Sequence, residues 1–250
     1  WVIDPIYRYE SKGTGKDEVT KIVAQKMHAY GGLRMGGSSY FGLDITAPSS
    51  PKFLFRIGAD QTDFSNMGQS WSKPILGNIR INGVVKKAMF IGGGYDMCYE
   101  DPRFKLNTNY AEDTSKSNDF KTNCSNKITT KGNAVYVVDA ETGERLFWVS
   151  DTGADKNNSD MKHSIVSNIS TLDTDADGLI DHLYFGDLGG QIFRVDLNNK
   201  NKTLNSETFG VRVVKIANLA TNESGVQMTN GNNPRFYESP TLTMHREHDK

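Results

Sequence analysis

The segment Asp173-Thr174-Asp175-Ala176-Asp177-Gly178-Leu179-Ile180-Asp181 carries the strongest chemical signal in the chain. Carboxylates fall at positions 1, 3 and 5 of a tight loop, and glycine falls at position 6, where a calcium loop turns sharply. Leu179 at position 7 offers a backbone carbonyl, and Asp181 at position 9 offers a further carboxylate. Without a cation, carboxylates this close repel one another and disfavour the compact turn. Oxygen donors alone select a hard cation. Calcium accepts 6–8 oxygens in flexible geometry, whereas magnesium demands a stricter octahedron. No His or Cys lies within the loop, which argues against zinc. A helical EF-hand needs a bidentate Glu at position 12, and Tyr184 stands there inside a strand pattern. The expected site is therefore a strand–loop–strand Ca2+ site built from Asp173, Asp175, Asp177, Leu179 and Asp181, structural or regulatory in role; the alternative is a solvated acidic turn.

Other chemistry-bearing residues give weaker patterns. Asp60, Asp63 and Asn66 do not alternate within one turn and read as a polar loop. His245 and His248 have no third ligand nearby in sequence. Ser38, Ser39 and Ser70 lie in no nucleophile elbow, and no Ser/His/Asp set can be assembled. Gly92-Gly93-Gly94 follows a strand pattern but precedes no helix pattern, so a phosphate cradle is not expected. Trp71, Phe147, Trp148 and Phe193 read as core. A catalytic centre is not expected. Sequons at Asn157, Asn168 and Asn222 matter only in a host that glycosylates.

Two cysteines, Cys98 and Cys124, flank a polar stretch with no metal or redox motif. They are expected to close a loop in an oxidising compartment, two free thiols being the alternative. On the chain-entropy model this closure contributes at most about 3.5 kcal/mol.

The elements that must position these groups are strands. Short apolar runs alternate with polar residues and end in Gly, Asn or Asp turns: 39–45, 52–57, 86–91, 133–139, 145–149, 183–185 and 191–196. The stretches 16–30 and 211–222 are short and rich in Val, Ile and Thr, and give no useful helix period. Three hairpin segments align on Asp44, Asp139 and Asp196. An Asp at a strand end accepts hydrogen bonds from turn amides and so pins the hairpin. Repetition of such units at roughly 40–60 residues indicates stacked or radial sheets. The fold class expected is all-β, a propeller of antiparallel blades with long loop insertions, with an irregular β-sandwich as the alternative. The interval 95–132 is a polar insertion between two strands of one blade, and such long loops are usually functional or mobile. The intervals 198–208 and 220–233 read as further exposed loops.

Composition is consistent with this class. The chain has 250 residues, enough for a large core in one domain spanning 1–250. Its 24 glycines exceed the usual share and suit a turn-rich β protein. A formal charge of −1 argues against a basic nucleic-acid footprint. No stretch approaches the ~18 apolar residues of a helical membrane span. The chain opens Trp1-Val2-Ile3-Asp4, with no initiator Met and no signal-peptide pattern, as in a processed protein or an excised piece of a longer one.

The order of motifs resembles a known family. It runs from Gly37-Ser38-Ser39-Tyr40-Phe41-Gly42-Leu43-Asp44 through Trp71-Ser72-Lys73-Pro74 and Val135-Tyr136-Val137-Val138-Asp139 with Thr142-Gly143. The acidic loop follows, and then Tyr184-Phe185-Gly186-Asp187-Leu188-Gly189-Gly190-Gln191-Ile192-Phe193-Arg194-Val195-Asp196-Leu197. Over roughly 30–245 this is similar to the C-terminal β-propeller of the PilY/PilC family of type IV pilus proteins. The resemblance implies a quinoprotein-like propeller that is not an enzyme. It implies a place at the pilus tip or cell surface, after export through periplasm and outer membrane. The implied roles are pilus biogenesis, adhesion, twitching motility and calcium control of extension against retraction. Implied partners are pilin or minor pilin subunits and a host-surface receptor. Carried over by position, the implied calcium ligands are Asp173, Asp175, Asp177, the Leu179 carbonyl and Asp181. Three or four blades can be counted, fewer than the family's ring, so an incomplete or degenerate propeller is expected. An integrin-like adhesive propeller would repeat the acidic loop in several blades, and this chain has one copy. A quinone-dependent dehydrogenase would need a full ring, a cofactor-stacking Trp and usually adjacent cysteines.

Overall fold

The computed structural model describes residues 1–13, 16, 19–200, 205–220 and 234–244. The described chain is all-β, with three successive sheets that each run up and down in sequence order. The first holds β1 (Val2–Lys12), β2 (Val19–Gly32), β3 (Ser39–Asp44) and β4 (Lys52–Gly58). The second holds β5 (Ile75–Ile81), β6 (Val84–Gly92), β7 (Val135–Asp139) and β8 (Arg145–Ser150), with the two-residue β9 (Lys156–Asn157) parallel on its edge. The third holds β10 (Ser170–Leu172), β11 (His182–Gly186), β12 (Gln191–Leu197) and β13 (Gly210–Asn218). These are three antiparallel propeller blades. The Val/Ile/Thr-rich stretches near 16–30 and 211–222 contribute β2 and β13.

The middle blade explains the layering. Side chains on a strand alternate between faces. Ala88, Phe90, Val135 and Val137 join Leu183, Phe185, Phe193 and Val195 of the third blade in one core. Met89, Ile91, Tyr136 and Val138 join Tyr30, Tyr40, Phe55 and Ile57 of the first blade in another. A blade covered on both sides must be apolar at every position, which is why β7 reads Val-Tyr-Val-Val and is buried throughout. Each fully buried aliphatic or aromatic side chain contributes about 1.5–3 kcal/mol. The β1–β2 hairpin, by contrast, is mostly exposed. Phe147 and Phe193 are core residues. Trp148 is half-buried, stacked on Tyr136 with ring centroids 5.8 Å apart. Trp71 packs at the margin of a third, smaller core.

That smaller core lies in the polar insertion expected at 95–132. The segment lies between β6 and β7, and it folds. Cys98 and Cys124 form a disulfide, and both are fully buried. Around them pack Tyr99, Phe104 and Tyr110, with Val166 and Leu188 of the main chain body. A short helix, α1 (Asn118–Cys124), starts at Ser117, whose hydroxyl accepts from the Phe120 amide. The apolar residues here follow no period because they converge on a disulfide rather than along a strand.

The hairpin-pinning aspartates divide. Asp44 accepts from the Thr46 amide, and Asp139 accepts from the amides of Glu141 and Thr142. Asp196 does not pin a turn. It lies within β12 and pairs with His182, Arg194 and Arg212. In the third blade the turn is held by Asp187, which accepts from the amides of Gly189 and Gln191 at 2.9 Å each.

The triple glycine 92–94 serves close backbone approach. Gly93 N donates to Ala134 O, Gly94 N to Ile165 O and Gly132 N to Asn66 O, so three connecting segments cross there. A Cβ on Gly94, whose φ is +109°, would lie 2.3 Å from Gln69 O.

Candidate functional site

The acidic loop joins β10 to β11, and a left-handed residue at each of two positions folds it tight. Ala176 has φ +60° and Gly178 has φ +86°. Asp173 organises the turn: Oδ1 accepts from the Ala176 amide and Oδ2 from the Gly178 amide, both at 2.8 Å. Asp177 Oδ1 accepts from the Leu179 amide at 2.9 Å. Asp173, Asp175 and Asp177 converge, each offering a carboxylate oxygen within 4.8 Å of the others. This oxygen-only donor set suits a hard divalent cation.

Asp181 is placed differently. Its Oδ2 accepts from the Thr174 amide at 2.8 Å and from the Thr174 hydroxyl at 2.5 Å, so it clamps the loop entrance to its exit. Burial works against the Asp181 carboxylate, but the bonds from Thr174 outweigh it and hold the group below its ordinary carboxylate value. Leu179 is buried and its amide is engaged by Asp177. Its carbonyl remains the expected position-7 ligand.

Residues distant in sequence fix the loop to the middle blade. Ile180 N donates to Asn78 O at 2.9 Å. Asn199 Nδ2 donates to Ile180 O at 2.6 Å, while Asn199 Oδ1 accepts from Arg80 N at 2.9 Å. Lys200 Nζ lies 3.4 Å from Asp175 Oδ2. Sequence reasoning missed Asn78, Asn199, Thr174 and Lys200. Only Thr174 sits inside the motif, and nothing in sequence marks the other three.

The weaker candidates come apart. Asp60 pairs with Arg56, Asp63 with Arg145, and Asn66 with Asn133. Ser70 Oγ accepts from Leu33 N and donates to Gly37 O, a structural role. His245 and His248 lie outside the described residues, as do 201–204 and 221–233 of the expected loops. A second titratable cluster was not foreseen. Tyr99 Oη lies 2.5 Å from His163 Nδ1, and the His163 ring packs on Gly189 beside the Asp187 turn. Burial lowers His163 to about 4 and raises Asp187 to about 7.

The family model of the PilY1 β-propeller domain matches residues 15–218. The type IV pilus biogenesis factor PilY1 of Pseudomonas aeruginosa (strain PAO1) is 30% identical over 170 residues, covering 67% of this chain and 11% of that protein. The PilY1 homolog of Xylella fastidiosa (strain Temecula1) is 28% identical over 179 residues, covering 68% of this chain and 10% of that protein. The chain thus spans about a tenth of the length of these curated relatives. The crystal structure of the Pseudomonas aeruginosa PilY1 C-terminal domain superposes with a TM-score of 0.51 at 21% identity, covering 90% of this chain and 39% of that one. That likeness carries the fold. The extent of the family match carries the assignment: the chain belongs to the PilY1 β-propeller domain family.

Proposed function

We propose that this chain is a non-catalytic, calcium-binding surface module of the type IV pilus machinery, acting in pilus biogenesis. The convergence of Asp173, Asp175 and Asp177 in one loop is the observation that supports calcium most directly. The cation would be held by these carboxylates and the Leu179 carbonyl, with Asp181 completing or bracing the shell. When bound, it supplies charge neutralisation and cross-linking of the loop, not reaction chemistry. The pilus role rests on the family and on its relatives being type IV pilus biogenesis factors. The finer reading is control of extension against retraction, twitching motility and adhesion at the cell surface, through pilin or minor pilin subunits and a host-surface receptor.

Calcium then acts as a local order switch on the hairpin 165–196. Calorimetry is expected to show Ca2+ binding that vanishes in Asp175→Ala; equal heats in the two proteins would refute the site. Hydrogen exchange with and without chelator reads the switch, and equal protection over 165–196 would remove it while leaving the site intact.

A further inference from the structure

A cleft of about 480 Å³ lies between the disulfide-closed insertion and the third blade, and no residue of the acidic loop lines it. Its volume is in the range that holds a small ligand or a few residues of peptide. Tyr99 and Phe104 of the insertion form an edge-to-face pair in its wall, with centroids 5.1 Å apart. Leu188 and Gly189 of the blade turn line it as well.

The charge lining this cleft is one-sided. Lys105, Lys162, Lys215 and Arg235 line it, against Asp160 as the sole lining carboxylate among the described residues. Lys215 is paired with Asp160, and Lys162 with Asp151. Lys105 and Arg235 have no carboxylate partner among the described residues. Arg235 is nevertheless held in place. It donates to the carbonyls of Tyr99, Asp101 and Pro102, and its guanidinium lies 4.9 Å from the Tyr99 ring centroid. A guanidinium carries five N–H donors, so others stay available. A cation fixed in this way loses little side-chain freedom on meeting an anion. Ile128, on the insertion, is 69% exposed and lines the same cleft. An exposed aliphatic beside unpaired cations matches a ligand with both acidic and apolar groups.

We propose that this cleft binds an acidic peptide segment of a partner protein, with carboxylates on Lys105 and Arg235 and an apolar side chain against Ile128. The proposal deepens the surface-module reading by giving the partner's chemistry. Lys105, Ile128 and Arg235 lie outside the acidic loop and outside the hairpin 165–196, so with Ca2+ present throughout its failure leaves the metal site untouched.

The experiment is fluorescence anisotropy with the whole chain and a labelled glutamate-rich peptide carrying one phenylalanine. The same peptide with lysine at each glutamate is the control. The acidic peptide is expected to bind, to weaken as salt rises, and to lose about tenfold in affinity in Lys105→Glu. Ile128→Ser, an exposed change that leaves every charge in place, is expected to weaken binding severalfold. Amide shifts in the nitrogen–proton spectrum are expected at Lys105, Gly189 and Lys215. Equal binding of the basic peptide, shifts confined to another face, or no binding up to millimolar peptide would overturn the proposal. So would binding to phosphatidylserine vesicles without binding to the acidic peptide.

Discussion

The Ile180 amide donates to the Asn78 carbonyl at 2.9 Å, across the seam between the second and third blades. The acidic loop is thus not a free hairpin end, because its exit is part of an inter-blade contact. Ile180 also packs on Gly77 of β5, where a Cβ would lie 2.7 Å from Ile180 Cγ1. Order in the loop and order in the seam are therefore coupled through one residue.

Asn199 is the second stitch of that seam, and its removal is expected to be costly. The residue is 2% exposed and serves Ile180 O and Arg80 N at once. Asn199→Ala leaves two part-buried backbone groups without this partner, each at the lower end of about 1–3 kcal/mol. A loss of about 2–4 kcal/mol is expected, or roughly 5–10 °C in Tm for a chain of this size. Differential scanning calorimetry measures it, and an unchanged Tm would show that the seam does not need this side chain.

Why the acidic loop was legible and its setting was not follows from the range of the interactions. Asp173, Asp175, Asp177 and Gly178 act within one turn, so their spacing alone encodes the geometry. Asn78 meets Ile180, and Asn199 meets Arg80 119 residues away, only because the blades pack, which no local pattern records. The blades are legible from short apolar runs and turn residues, and the disulfide-closed insertion from its two cysteines, whereas the small core inside it is not, because Tyr99, Phe104 and Tyr110 gather around Cys98 and Cys124 without a period. Asp196 was misassigned for a related reason: its role comes from Arg212 and His182 on neighbouring strands, not from the turn that follows it.

Two left-handed glycines are expected to respond very differently to the same change. A Cβ on Gly178 meets nothing within 4 Å, so Gly178→Ala incurs only the left-handed backbone penalty of about 1–2 kcal/mol. A Cβ on Gly94 would strike the Gln69 carbonyl at the crossing of three connecting segments. Gly94→Ala is therefore expected to lose more than about 4 kcal/mol or fail to fold. Urea unfolding of both variants decides, and equal losses would contradict the close approach.

His163 and Asp187 are expected to give opposing pH dependences. His163 is held neutral by burial, with a folded value of about 4 below its ordinary 6.5. The unfolded chain takes up that proton first, so this contribution is present above pH 6.5 and is lost as pH falls toward 4. Asp187 is raised by burial from 3.8 to about 7, despite bonds from the Gln191 and Gly189 amides. Its contribution is full below pH 3.8 and is lost as pH rises through 7. Between about pH 4 and 6.5 the two slopes offset each other. In His163→Gln stability is expected to fall as pH rises over this window, and in Asp187→Asn to rise. Denaturant titrations at several pH values read both slopes, and parallel profiles in the two variants would show that neither group titrates as its burial dictates.

Lys200 is expected to act as a tethered competitor for the acidic loop. Its ammonium lies 3.4 Å from Asp175 Oδ2, and the side chain is 78% exposed, so it can swing away without disturbing the fold. A divalent cation must displace this charge to use Asp175 fully. Exposed ion pairs are weak, so Lys200→Ala is expected to raise Ca2+ affinity only about two- to fivefold. Lys200→Glu is expected to raise it further, because it replaces a repelling charge with an attracting one. The order Lys200→Glu, then Lys200→Ala, then the unaltered chain separates competition from a packing effect, since packing alone would not rank the variants by charge. Calorimetric titration at low and high salt measures the order and its screening. Equal affinities in all three proteins at low salt would mean that the Lys200 ammonium does not contest the site.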